Sequence, residues 1–108
     1  MTFMAMAAQK SALTLQKSFV ELQMISAENQ INIASAGMSE IQGNSESNSN
    51  YSNDPTYLYY EQMEEEYEGL KDMLENQRDM LNEQINSLKS AITNSIKESC
   101  KLNLSSGG

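Results

Sequence analysis

The chain has 108 residues, enough for one domain, with fifteen acidic residues against seven basic ones, one Cys, one Pro, and neither His nor Trp. Without His there is no Ser–His or Cys–His nucleophile pair, no zinc site of ordinary ligand set and no two-His metal triad, and a lone Cys gives neither an internal disulfide nor a CxxC site. The net charge of −8 argues against nucleic acid as a partner, because phosphate binding needs a basic face.

The apolar content is low. Leu, Ile, Val and Phe together number 20 of the 108 residues, a share that lies near the boundary of disordered sequences, and eight Met partly offset the deficit. No run approaches the ~18 apolar residues of a membrane span. Met1-Thr-Phe-Met-Ala-Met-Ala-Ala lacks a cationic start and is too short for a cleavable signal. The expected location is therefore the cytoplasm, or outside the cell by a signal-independent route.

Residues 1–38 are read as a first amphipathic helix. Apolar or small residues fall at alternating spacings of three and four at Ala5, Ala8, Ala12, Leu15, Phe19 and Leu22, and the stripe runs on through Ser26, Asn29, Ile33 and Ala36. Gln9, Gln16, Gln23 and Gln30 recur every seven residues, each just after a stripe position. Ser26 and Asn29 are either buried polar entries that set register, or exposed residues on a stripe that drifts toward Ile25 or Ile31. Gly37 and Gly43 are both candidate helix stops. Phe3, Met4 and Met6 make a sticky start that suits packing against a helix better than a membrane surface, since Lys10 and Lys17 are a thin basic face.

Residues 39–54 are read as a flexible polar connector rich in Ser and Asn, whose side chains compete for backbone hydrogen bonds. Asn53-Asp54-Pro55 is a helix start, with Asp54 as cap and Pro55 at the first helical position.

Residues 55–101 are read as a second amphipathic helix, with its stripe at Tyr60, Met63, Tyr67, Leu70, Leu74, Gln77, Leu81, Ile85, Leu88, Ile92 and Ile96. Gly69 is a weak point inside it, and residues 102–108 are expected to be a disordered tail. From Glu40 to Glu68 there are eight acidic residues and no basic one. They form either a solvated face complementing the helix dipole, or a repulsive tip or docking site for a basic partner. All five Tyr crowd the same region, as a staple of the connector onto the first helix or as an intermolecular contact. Glu61, Glu64, Glu65 and Glu68 share a face, but di-iron bundles also need Glu-x-x-His and calcium loops a central Gly, so no metal is expected. Cys100, near Lys97 and Lys101, is read as a plain helix-end cysteine.

A connector of sixteen residues cannot return along either helix but easily joins neighbouring ends. The fold class is therefore all-α, a two-helix antiparallel hairpin with a coiled-coil-like seam. In layout it resembles the small acidic helical hairpins that are substrates of type VII secretion. That family's turn carries Trp-x-Gly where this chain has Gly43-Asn44, and the Tyr57…Glu61 and Tyr60…Glu64 spacings stand at the start of the second helix, not after it. The Gln30-Ile-Asn-Ile-Ala-Ser-Ala-Gly37 stretch is similar to the terminal helices of flagellar axial proteins and type III needles, which pack with neighbouring copies.

These readings converge on a non-catalytic protein that acts by coiled-coil association with itself or another helical protein, as a secretion-associated subunit or chaperone. A membrane-surface module, or a segment that folds on binding, is the alternative. The expected interface is Leu15, Phe19, Leu22, Leu70, Leu74, Leu81, Ile85, Leu88 and Ile92. No enzyme activity, cofactor or small-molecule substrate is expected.

Overall fold

The computed structural model describes residues 2–44 and 50–106. Helix α1 spans Phe3–Asn44, a short 3₁₀ turn covers Asn50–Asn53, and helix α2 spans Pro55–Ser106. Among the described residues there is no strand. The fold is an all-α, two-helix antiparallel hairpin.

Both helix starts have local causes. Thr2 caps α1, its hydroxyl accepting from the Ala5 amide at 3.3 Å. At α2 the Asp54 carboxylate accepts from the Thr56 amide at 2.8 Å, and the Asp54 carbonyl takes the first helical bond, from the Leu58 amide at 3.0 Å. With Pro55 in the first turn, which has no amide to satisfy, the expected start is the observed one.

The helix ends differ from expectation. α1 continues past residue 38 to Asn44, through both Gly37 and Gly43, and no described glycine has positive φ. Met38, Glu40, Ile41 and Gln42 favour helix, and half-buried Ile41 extends the packed stripe. Of the expected connector, 39–44 are thus helical and 50–53 form the 3₁₀ turn, while 45–49 lie outside the described residues. α2 also runs on to Ser106, because no Gly or Pro interrupts it between Gly69 and Gly107.

The chain divides into two compact units, a terminal one (Met1–Val20 with Gln77–Gly108) and a central one (Glu21–Asn76). In the terminal unit, Gln9 and Leu13 border a groove with Gln84 and Leu88, whereas Val20 borders one with Gln77 and Leu81. Numbers rising on one helix meet numbers falling on the other, which is antiparallel pairing. The α1 residues turned inward are Met6, Lys10, Leu13, Lys17 and Val20. On α2 the less exposed residues of this unit include Arg78, Leu81, Ile85, Leu88 and Ile92, of which Ile85 is the buried member. Lys10 and Lys17 serve here because a lysine stem can bury while its ammonium reaches water.

In the central unit the α1 stripe is Met24, Ala27, Ile31, Ala34, Met38 and Ile41, with Ala27 2% and Ala34 0% exposed. The facing α2 stripe is Tyr57, Tyr60, Glu64, Tyr67, Lys71 and Leu74. Small residues on one helix admit large ones from the other. At Gly37 the approach leaves no room for a side chain: a Cβ there would lie 2.5 Å from the Tyr60 ring.

The inward stripe of α1 is therefore offset from the expected one. Ser26 and Asn29 are exposed, and the stripe passes instead through Met24, Ala27 and Ile31. Ala27, Ala34 and Gly37 let the backbones come close, so more atoms meet per turn than Ser26 and Asn29 would allow. On α2 the expected stripe is largely the packed one, but Leu70, Gln77 and Ile96 are exposed, and their neighbours Lys71, Arg78 and Ser95 are the half-buried residues.

Candidate interaction surface

The nine residues expected at an interface fall into two groups. Leu74 and Ile85 are buried and Leu81, Leu88 and Ile92 half-buried, all within the intrachain stripes. Leu15, Phe19, Leu22 and Leu70 are exposed. Leu15, Phe19 and Leu22 lie at spacings of four and three, so they share one α1 face, and it is not the face turned to α2.

Of these, Phe19 lines a groove of the terminal unit, of about 410 Å³, together with Gln16, Val20, Gln77, Met80, Leu81 and Gln84. Phe19 is 60% and Met80 61% exposed, and together they form its apolar walls. None of the seven lining side chains is ionisable. The three glutamines offer amide donors and acceptors without charge, so an apolar or amide-bearing surface can settle here without burying an ion.

The central unit has two unlike depressions. One is lined by Glu28, Glu68, Asp72 and Glu75 with Ile31, Asn32 and Lys71. The other is lined by Gln30, Gln62, Met63, Tyr59, Tyr67 and Glu66, with a single carboxylate. Ile33, Leu70 and Met73 are exposed apolar residues of this unit.

Two tyrosines of the crowded set staple α2 to α1. The Gln42 amide donates to the Tyr57 hydroxyl at 3.3 Å, and Tyr60 covers Gly37. Tyr51 meets the Tyr57 ring edge-on at 5.3 Å, a favourable aromatic geometry. Tyr59 remains exposed while its ring contacts Tyr60 edge-on at 5.7 Å. Among the described residues no three His, Cys, Asp or Glu side chains converge to hold an ion. Cys100 is exposed, and no helix of the described residues is long and apolar enough to cross a membrane.

Met80, Gln77 and Gln84 were not among the expected interface residues. Their signal was present in the chain, since Met73 and Met80, like Gln77 and Gln84, stand seven apart. It was masked because Met and Gln are ordinary helix formers on any face. No family model matches this chain, and neither does any curated protein or solved structure.

Proposed function

We propose that this is a non-catalytic interaction protein whose helical hairpin acts by coiled-coil association, with itself or with another helical chain, in the role of a secretion-associated subunit or chaperone. One observation carries the reading. Among the described residues six apolar side chains are buried, whereas fourteen large ones are exposed, and Leu15, Phe19 and Leu22 lie along one helical face. A two-helix hairpin has no third layer to cover that face, and a further helix supplies one. The absence of charge in the Phe19–Met80 groove supports the same reading, because cores of interfaces are depleted of charge and enriched in aromatics and Met.

Association that stabilises the fold makes the thermal midpoint depend on protein concentration. Circular dichroism melts over a dilution series test this. The midpoint is expected to rise with concentration, and Leu22→Glu, at an exposed position, is expected to flatten that dependence. A high midpoint that ignores concentration, with no helical partner shifting it, overturns the proposal.

A further inference from the structure

We infer that the Phe19–Met80 groove of the terminal unit docks the central unit of a second copy of this chain. The inference rests on the association reading above and specifies which surfaces meet.

The two units carry opposite charge. The terminal unit has six basic residues (Lys10, Lys17, Arg78, Lys89, Lys97 and Lys101) against Asp79, Glu83 and Glu98. The central unit has Lys71 alone against twelve acidic residues. Their formal charges are +3 and −11, which together make the −8 of the whole chain. Three pairings between copies are possible. Central on central sets two strongly negative bodies together, and terminal on terminal sets two positive ones together. Terminal on central is the attractive combination, and complementary potentials of this kind select partner and register.

Charge decides which units meet, and exposed apolar side chains decide where. The groove holds Phe19 and Met80 among three glutamines and no ionisable group. The central unit offers Leu70 and Met73, exposed and three apart on α2, and exposed Ile33 on α1. Seating one on the other removes apolar surface from water without burying an ionisable side chain of the groove lining, while the charge difference acts over the length of the two units. Because each copy carries both surfaces, two copies can close reciprocally about a two-fold axis, or the contact can be heterologous and propagate from copy to copy.

Sedimentation equilibrium of the full chain tests the inference, at about 0.05 M and about 0.5 M salt, where screening is respectively weak and strong. The unaltered chain is expected to self-associate, more tightly at the lower salt. The double variant Lys89→Glu/Lys97→Glu, at exposed positions, turns the terminal unit's charge negative. It is expected to weaken association about tenfold at low salt, with the difference shrinking at high salt. Met80→Glu, also exposed, is expected to weaken association at both. Circular dichroism of each dilute variant should match the unaltered chain, so that lost association is not lost folding.

The sign of the lysine effect is decisive. Association that strengthens or stays unchanged in Lys89→Glu/Lys97→Glu overturns terminal-on-central docking, while concentration-dependent melting would leave the association reading standing. A folded chain that stays monomeric at both salts overturns the second copy as occupant, and a concentration-independent midpoint in the melts would then remove self-association from the broader reading as well.

Discussion

The ring of Tyr60 occupies the space that a side chain at Gly37 would need, with three ring carbons 2.5 to 2.7 Å from where a Cβ would stand. Gly37 is helical and has no positive φ, so its lack of a side chain serves close approach and not a turn. Two effects oppose each other on replacement. Alanine gains about 1 kcal/mol of helix propensity, but displacing a packed ring costs about 1–3 kcal/mol. Gly37→Ala is therefore expected to be net destabilising, by about 1 kcal/mol in urea unfolding. Adding Tyr60→Leu should recover part of that loss, and two additive effects would show that the contact is absent.

Gly69 is the matching control. A Cβ there meets nothing within 4 Å, so only the propensity gain remains. Gly69→Ala is expected to stabilise the chain by about 0.5–1 kcal/mol, and a destabilisation would show that this face of α2 is covered.

Asp54→Ala removes the acceptor of the 2.8 Å bond from the Thr56 amide and leaves a first-turn donor to water alone. The expected loss is about 1 kcal/mol. Asp54→Asn, which keeps an acceptor oxygen, should cost less, and equal losses would assign the effect to charge in place of capping.

Leu74 and Phe19 separate the intrachain core from the outer face. Leu74 is 4% exposed, and truncation to Ala is expected to cost about 2–4 kcal/mol at any protein concentration. Phe19→Ala in dilute protein is expected to change stability by less than about 0.5 kcal/mol, since the ring is largely in water. At high concentration its cost should grow as association contributes. A large cost at high dilution would place Phe19 inside the hairpin.

The two helices, their antiparallel order and the α2 start were legible in the residues themselves. Spacings of three and four are a property of the chain, and Asp54-Pro55 acts within one turn, so no distant contact is needed to recognise either. The choice between the two apolar stripes of α1 was not legible. Ala5 to Leu22 and Met6 to Ile41 both have helical spacing, and a period says that a face exists without saying which face meets another helix. Packing resolved it: Ala27, Ala34 and Gly37 are weak hydrophobes in isolation, yet Ala27 and Ala34 are among the least exposed residues and Gly37 lies against the Tyr60 ring. That selection turns Leu15, Phe19 and Leu22 outward, and it brings Phe19 beside Met80, sixty-one residues away in the chain, on the wall of one groove. Helical periodicity is local, so composition and spacing determine it; complementarity of size is a property of pairs, and only the folded hairpin decides which pairs form.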